Sequence, residues 1–568
     1  MKVEFKKWFL FLVVAMMILA ISPVKAIHAA GELPLTESLV ESSSDKYDAR
    51  WGKWKDGKVF ETTDGQVIDG VGLNPYYGGH HTFVSLNIKD YEYTTLETLL
   101  SIDKNWSVGD FGKTEFVVYA DDQKIFTKTF TNTTKAYNLK VAVPKGTESL
   151  TFYAVMQKGS KGEHYAIFGN PKLTNELPSK AKVDKLSLVG IDTASVSDNY
   201  DYQTDGWRNT GPFELADGSM VPVAVGLYPY YSGPRTFASF IVKDYNYSTL
   251  EARLSIDNKW RKGDLGKSEF VIYADNQKVY TKTLTNTTPI QNIKVRIPKN
   301  TKEIYFYGLH EDGSQGMHRL ILEDPKLTNS LAALPGDDSV ALTNIGVSSQ
   351  SDRYDVNDGK WRNDGPLQMA EGYLVSRGFG LDPYYGGTET FASFFVGDYK
   401  QLTSLETKIS LDNKWRTGDR GKSVVYIYAD KTLLGNYTLT NSSKTVNVVA
   451  SIPSNAKYIT FKVKHIKGKR GLNHRVIIDN PLLTSRPGKP VVNKILTSSK
   501  AITGKAKAGT TVSVKIGTGK KLYTARTDSK GNYKVTIPAQ KLNTVITVTA
   551  TDTLKRVSAA TVVKVLSK

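Results

Sequence analysis

The stretch "TTLETLLSIDKNWSVGDFGKTEFVVYAD", residues 94–121, occurs three times in this chain with limited changes. The second copy is "STLEARLSIDNKWRKGDLGKSEFVIYAD", residues 248–275, and the third is "TSLETKISLDNKWRTGDRGKSVVYIYAD", residues 403–430. In the first two copies, "FVVYAD" and "FVIYAD" are continuous apolar runs, which is typical of a strand buried on both faces. The repetition indicates one domain used three times.

The segments that follow have strand periodicity. Leu139, Val141 and Val143 alternate with less apolar residues and end at Pro144, and the series from Ile293 to Pro298 repeats this pattern. Alternation with a closing proline indicates a strand with one solvent-facing side. Since no stretch keeps a helical period, the sequence predicts an all-β protein with three tandem jelly-roll β-sandwiches.

Proline-containing segments with few apolar residues divide the chain into four units. The stretches "ELPSKAKVD", "SLAALPGDDS" and "SRPGKP" are the predicted linkers. The predicted segments are a signal peptide at 1–30, repeats at 31–177, 183–329 and 340–485, and a small C-terminal β-sandwich at 489–568.

The first thirty residues have the layout of a secretory signal peptide. Basic residues precede an apolar run from Trp8 to Ile21, and small residues follow, with Ala26, Ala29 and Ala30 as alternative cleavage positions. The apolar run is short for a membrane span, and no second one follows. The sequence therefore predicts a secreted protein associated with the cell wall or extracellular surface. Its lack of cysteine excludes disulfides and thiolate metal sites.

The charge balance favours anionic partners. The chain has 75 Lys and Arg against 56 Asp and Glu, a net charge of +19. Outside a cell, an anionic wall polymer, an acidic glycan or a membrane surface is favoured over nucleic acid. Solubility alone also explains a positive charge, because the basic residues are not massed in one run.

An aromatic turn recurs at a fixed place in each repeat. It reads "NPYYGG", "YPYYSG" and "DPYYGG", and a tryptophan lies downstream of each copy. Aromatic faces beside hydrogen-bonding groups suit sugars, whereas packing of the sandwich is the alternative explanation. A histidine near the end of each repeat could bond a sugar hydroxyl or serve a structural role. The predicted carbohydrate-binding residues are Tyr76, Tyr77, Trp106, His164, Tyr230, Tyr231, Trp260, His318, Tyr384, Tyr385, Trp415 and His474.

Paired aspartates bracket each downstream tryptophan: Asp103 and Asp110, Asp257 and Asp264, Asp412 and Asp419. Loop carboxylates can hold a structural calcium ion, and turn capping is the alternative. A glycosidase needs two carboxylates flanking a cleft, and the Gly-Asp-x-Gly-Lys context indicates turn chemistry instead. The sequence also lacks the common motifs of nucleophilic, phosphate-binding and zinc-dependent enzymes.

The order "GVGLNPYYGGHHTFVSLNI", "TLETLLSIDKNW", "GKTEFVVYADDQKIFTKTF" and "LKVAVPKGTESLTFYAV" resembles the NPCBM family of carbohydrate-binding modules. That resemblance covers nearly all of each repeat and implies a galactose-binding-like jelly roll with a non-catalytic sugar-binding role. The stretches "ITGKAKAGTTVSVKIG" and "TDSKGNYKVTIP" resemble bacterial Ig-like domains of exported surface proteins.

These patterns predict a secreted, non-enzymatic, multivalent carbohydrate-binding protein that recognises cell-wall or extracellular glycan. One alternative is a surface adhesion or matrix protein whose repeats bind protein partners. Another is an accessory protein of a glycoside hydrolase. Retention of a defined glycan by a single repeat would separate the first hypothesis from the second.

Overall fold

The computed structural model describes residues 31–76, 79–334, 336, 339–362, 364–383, 387–466, 468, 474–552, 556–558 and 560–567. The predicted signal peptide at 1–30 lies outside these residues. The all-β prediction is confirmed, since strands dominate the chain. Among the described segments, no helix has the length and apolar character needed to cross a membrane.

The first repeat is a sandwich of two antiparallel sheets. Its strands are β1 (Leu33–Pro34), β2 (Val40–Ser43), β3 (Ala49–Trp51), β4 (Phe60–Glu61), β5 (Val67–Ile68), β6 (Gly70–Leu73), β7 (His81–Asn87), β8 (Thr95–Ile102), β9 (Lys113–Ala120), β10 (Gln123–Phe130), β11 (Tyr137–Ala142), β12 (Ser149–Gln157) and β13 (Ala166–Thr174). One sheet has the order β11-β8-β13-β6-β3, with β1 beside β13, and the other has the order β10-β9-β12-β7-β2. Phe116, Phe152 and Phe168 pack between the sheets.

The second repeat has the same series of strands. They are β14 (Lys185–Ser187), β15 (Thr193–Val196), β16 (Tyr202–Gln203), β17 (Phe213–Glu214), β18 (Met220–Val221), β19 (Ala224–Leu227), β20 (Arg235–Ile241), β21 (Thr249–Ile256), β22 (Lys267–Ala274), β23 (Gln277–Leu284), β24 (Gln291–Arg296), β25 (Glu303–Glu311) and β26 (Leu320–Thr328). Strands β15-β20-β25-β22-β23 form one sheet, and β26, β21 and β24 are adjacent in the other.

The third repeat again has two large sheets. Its elements are β27 (Ser339–Ala341), the helix α1 (Leu342–Ile345), β28 (Ser349–Gln350), β29 (Val356–Asp358), β30 (Lys360–Trp361), β31 (Gly365–Pro366), β32 (Gly378–Leu381), β33 (Glu389–Phe395), β34 (Ser404–Leu411), β35 (Lys422–Ala429), β36 (Thr432–Leu439), β37 (Val446–Ser451), β38 (Tyr458–Ile466) and β39 (Val476–Thr484). The orders are β29-β32-β39-β34-β37, with β27 beside β39, and β28-β33-β38-β35-β36.

The C-terminal domain is a smaller sandwich of seven strands. These are β40 (Val491–Val492), β41 (Ala501–Lys505), β42 (Thr511–Ile516), β43 (Leu522–Arg526), β44 (Asn532–Thr536), β45 (Val545–Thr551) and β46 (Thr561–Lys564). A three-stranded sheet, β40-β41-β44, faces a four-stranded sheet, β43-β42-β45-β46. Ile502, Val514 and Val535 belong to the core between them.

Packing divides the chain into two compact units that do not follow the repeat boundaries. One unit contains residues up to Val189 together with Gln203–Val225, and the other contains Gly190–Tyr202 together with Gly226–Lys568. The predicted linkers are partly paired with the repeats that precede them. The Lys180 carbonyl accepts from the Lys145 amide at 3.0 Å, and the Leu334 carbonyl accepts from the Lys299 amide at 3.0 Å. The domain limits drawn from the sequence stay predictions.

The hairpin formed by β17 and β18 explains why β9 of the first repeat is apolar on both faces. In the first unit, Met220 packs against Val117, Tyr119 and Val155, which lie on β9 and β12. In the second unit, the equivalent Leu374 joins a cluster with Val271, Tyr273, Tyr307 and Leu309. The corresponding Val67 of the first repeat is 62% exposed. The hairpin is therefore a packing element in two of its three copies.

Replacing Leu374 with alanine should lower the free energy of unfolding by about 2 kcal/mol, because a buried leucine loses its contacts and leaves a cavity. Val67→Ala is the matched control, and we expect it to stay within about 0.5 kcal/mol because its side chain faces solvent. Urea unfolding of the full chain would measure both changes. Equal effects would contradict the assignment of the hairpin as a packing element.

Candidate functional site

A cleft of about 510 Å³ lies in the first repeat beside the aromatic turn. It contains two residues predicted from the sequence, Tyr76 and Trp106, and adds three other aromatic side chains. The lining residues are Tyr47, Trp54, Lys55, Asp56, Lys58, Asn74, Tyr76, Asn105, Trp106 and Tyr165. Apolar rings with a few amide and charged groups are the composition expected of a small-molecule site.

A stacked pair of rings forms one part of the cleft. Trp106 and Tyr165 lie 4.0 Å apart between ring centroids, with an interplanar angle of 13°. Trp54 also contacts Tyr165, with 4.8 Å between the ring centroids, and is itself buried. Because each ring is held by another, the aromatic surface is rigid, so little side-chain entropy would be lost on binding a ligand.

Asp103 anchors this aromatic group. It directly follows β8 and caps a 3-10 helix at Lys104–Trp106, where its Oδ1 accepts from the Asn105 amide at 3.0 Å. Its Oδ2 accepts from Trp54 Nε1 at 2.8 Å and from the Glu61 amide at 3.3 Å. A buried carboxylate with these donors fixes both tryptophans, since losing it would leave the donors unpaired.

Polar groups complete the cleft. Lys58 Nζ lies 2.8 Å from Asp56 Oδ2, and this contact lowers the pKa of Asp56. Lys55 Nζ lies 4.1 Å from the centroid of the Tyr47 ring. Burial raises the pKa of Tyr165, against a hydrogen bond with Asn74. The phenol is therefore protonated at neutral pH.

The tyrosine turn is exposed where the structure describes it. Tyr76 is 71% exposed, and Tyr230 and Tyr231 are also exposed in the second repeat. The buried Asp201 carboxylate accepts from the backbone amides of Tyr230 at 2.8 Å and Tyr231 at 2.7 Å. This bonding explains how two adjacent tyrosines both face outward. Tyr77, Tyr384 and Tyr385 lie outside the described residues.

The second and third repeats carry arginine where the first has Tyr165. The Arg319 guanidinium carbon lies 4.0 Å from the Tyr228 ring centroid and 4.2 Å from that of Trp260. Arg475 lies 3.9 Å from the Trp415 ring centroid. The predicted tryptophans of these two repeats are thus each covered by a guanidinium. The three predicted sugar sites are not equivalent.

Arg475 is also paired with two carboxylates. Its Nη1 lies 2.8 Å from Asp364 Oδ2, and its Nε lies 2.8 Å from Asp382 Oδ2. Asp364 accepts in addition from Trp415 Nε1 at 2.5 Å. This network holds the guanidinium against the tryptophan, because these two carboxylates balance a largely buried positive charge.

The three predicted histidines lie inside the sandwiches, and their placement at a sugar site is corrected. His164, His318 and His474 are fully buried or nearly so. His318 Nδ1 contacts Ser268 Oγ at 3.0 Å and its Nε2 contacts Asn286 Oδ1 at 2.6 Å. Burial lowers the pKa of each of the three to about 4. A neutral histidine without exposed surface can bond its neighbours but cannot contact a sugar.

The paired aspartates bond to the backbone. Asp257 and Asp412 cap 3-10 helices at Asn258–Trp260 and Asn413–Trp415, as Asp103 does in the first repeat. Asp110, Asp264 and Asp419 accept from backbone amides of adjoining turns, at 3.0 to 3.2 Å. Calcium requires several oxygens around one point. No group of three or more acidic, histidine or cysteine side chains that could hold a metal occurs among the described residues. Calcium stays a prediction.

Three aromatic side chains of the cleft are not among the predicted site residues, because they are distant from Trp106 in the sequence. Tyr47 and Trp54 begin the repeat, and Tyr165 lies near its end, so only the closed sandwich brings them to Trp106. The departure at Tyr165 from the arginine of the other copies was a local sign that this site differs.

Two family models match the chain. The NPCBM/NEW2 domain matches residues 80–174, and the bacterial Ig domain matches residues 486–566. These matches agree with the resemblance in the first repeat and in the C-terminal domain.

Among curated proteins, the cell wall-associated protease of Bacillus subtilis (strain 168) is 28% identical over 160 residues. The match covers 27% of this chain and only 17% of that protein's length. Among solved structures, tandem CBM51 modules of a family 98 glycoside hydrolase from Streptococcus pneumoniae SP3-BS71 show 14% identity and a TM-score of 0.23, with 54% of this chain and 100% of that chain covered. A CBM51 module from Clostridium perfringens, solved with methyl-galactose, shows 20% identity and a TM-score of 0.21, with 25% and 99% covered.

Proposed function

We propose that this chain, with an NPCBM domain in its first repeat and a bacterial Ig domain at its end, is a secreted, non-catalytic protein that binds cell-wall or extracellular glycan. The observation that carries the proposal is the cleft of the first repeat, where Trp106 stacks on Tyr165 beside the exposed Tyr76. A sugar ring would place its C–H face on these aromatics while Asn74 and Asn105 bond its hydroxyls.

The carboxylates of the cleft support the proposal of binding without catalysis. Glycoside hydrolysis uses a pair of carboxyl groups on either side of the scissile bond. Among the lining residues, Asp56 is the single carboxylate, and it is paired with Lys58. The cleft therefore offers contacts for a sugar, and its described lining residues do not include two carboxyl groups facing each other.

We infer that the repeats contribute unequally to a multivalent contact. The first has an open aromatic cleft, whereas the second presents Tyr230 and Tyr231 on a surface where Arg319 covers the tryptophan. A weaker second contact on the same polymer raises avidity, because it becomes intramolecular once the first has formed.

A protein-binding role for the repeats is the second candidate. Met220 and Leu374 show that the outer face of a five-stranded sheet accepts an apolar hairpin. In the third repeat, Lys462 and Lys464 are paired with Glu389 at positions equivalent to Tyr307 and Leu309. A protein partner that docks on the equivalent face of the third repeat would therefore need charged groups at the place where the hairpins carry Met220 or Leu374.

Replacing Tyr76 with alanine should weaken glycan binding about tenfold, since one stacking ring of the cleft is lost. Val108→Ala is the matched control, because Val108 is 77% exposed and does not line the cleft. Calorimetry of the full chain with polysaccharides that a glycan array identifies would measure the affinities, and circular dichroism would verify folding. The proposal fails if the array shows no retention, or if both variants bind as the parent does.

A further inference from the structure

The positive charge of this protein is concentrated in its C-terminal domain. Residues 486–568 contain 17 Lys and Arg but only two acidic residues, Asp528 and Asp552. Residues 1–485 contain 58 basic and 54 acidic side chains, which is near balance. The excess of positive charge, although not massed in one run of the sequence, is therefore a property of one small domain.

These cations are exposed. The exposed ones among the described residues of the domain are Lys489, Lys494, Lys500, Lys505, Lys507, Lys515, Lys520, Lys521, Arg526, Lys530, Lys534, Lys541 and Lys564. Within the same described residues, ion pairs involve two other cations, Arg556 with Asp552 and Arg486 with Glu406. The domain thus carries a strong positive field that its own carboxylates do not neutralise.

The cations occupy the outer faces of both sheets. Register places Lys534 opposite Thr503 and Lys505 opposite Asn532 on the three-stranded sheet. On the four-stranded sheet, Lys515 lies opposite Leu522 and Arg526 opposite Thr511. Side chains alternate between faces, and the neighbouring Val514 and Val535 are buried in the core, so these cations point outward.

We propose that the C-terminal domain binds a linear polyanion, a flexible chain with regularly spaced phosphate or carboxylate groups. A flexible polymer can contact cations on both faces of the sandwich, whereas a flat membrane can contact only one. Residues 486–568 also contain no Trp or Phe, two of the side chains by which a protein inserts into a membrane interface. The site is separate from the aromatic cleft and does not depend on its ligand.

The test compares two triple variants of the full chain. Lys505, Lys515 and Lys534 are replaced by glutamine in one, and the exposed Lys243, Lys262 and Lys299 of the second repeat are replaced by glutamine in the other. The probe is long-chain inorganic polyphosphate, labelled for fluorescence anisotropy at low salt. Both variants lose the same charge, so only its position differs. We expect the first variant to bind at least about tenfold more weakly than the parent, and the second to change less than about twofold.

Binding of the parent should also fall steeply between about 0.05 and 0.5 M salt, because exposed charges are screened. Equal losses in the two variants, or no loss in the first, would overturn the proposal. A parent that binds phosphatidylglycerol vesicles but not polyphosphate would overturn it in favour of a membrane surface. Tyr76→Ala should leave polyphosphate binding unchanged, so failure of the glycan proposal and failure of this one are distinguishable.

Discussion

Lowering the pH from 7 to 5 should reduce the free energy of unfolding of the second repeat by about 4 kcal/mol through two buried histidines. Burial lowers the pKa of His310 to about 3 and that of His318 to about 4. Both rings contact Ser268 Oγ, at 2.9 and 3.0 Å; His310 lies on β25, and His318 lies just before β26. The unfolded chain, in which histidine has a pKa of about 6.5, gives each ring its ordinary proton affinity.

The direction of this pH dependence follows from the number of protons that the folded and unfolded states bind. Below about pH 6.5 the unfolded state binds protons on these histidines, whereas the folded state does not. The free energy of unfolding therefore falls as the pH drops from about 6.5 toward about 4. Each histidine contributes about 1.4 kcal/mol per pH unit over that range, and two of them over 1.5 units give the expected value. Urea unfolding of the full chain at both pH values, followed by circular dichroism, would measure the change.

The first repeat supplies the control. At the position equivalent to His310 it has Met156, which is buried in its core. His310→Met should therefore fold and should remove about half of the pH dependence of the second repeat, about 2 kcal/mol. An unchanged dependence in this variant would show that other groups, such as carboxylates, are responsible.

The strands were predictable because their signals are local. The apolar run ending in Tyr119 and Ala120 and the alternation from Leu139 to Val143 each mark a strand by the period of its own residues. The structure confirms both, as β9 and β11. The apolar outer face of β9 was also visible, although the sequence could not show that Met220, about a hundred residues away, would cover it.

The site was less predictable because it depends on distant residues. Tyr76 and Trp106 stood out as recurring aromatics, and both line the cleft. His164 recurs just as regularly, but its recurrence reflects a bond with Thr114 inside the core. Asp103 recurs for a similar reason, since it holds Trp54 in place. A residue recurs in every copy when every copy requires it. That requirement can come from packing as well as from ligand binding, so recurrence alone does not identify a binding residue.

The largest expected change in glycan binding follows from the difference between the open cleft of the first repeat and the arginine-covered tryptophans of the other two. Trp106→Ala should weaken glycan binding by about 100-fold, because it removes a ring of the open cleft and the partner that holds Tyr165 in place. The matched Trp260→Ala should change the affinity less than about threefold, since Arg319 already covers that ring. Trp415→Ala should behave in the same way, because Arg475 lies over it.

Calorimetry with one multivalent polysaccharide would compare the three variants, and circular dichroism would show that each stays folded. Stacking on an aromatic face is not a charge interaction, so the loss at Trp106 should persist at high salt, where polyanion binding by the C-terminal domain has been screened. Three equal losses would mean that the arginines open to admit a sugar and that the repeats act as equivalent sites. A folded Trp106→Ala variant with the parent's affinity would place the glycan outside this cleft.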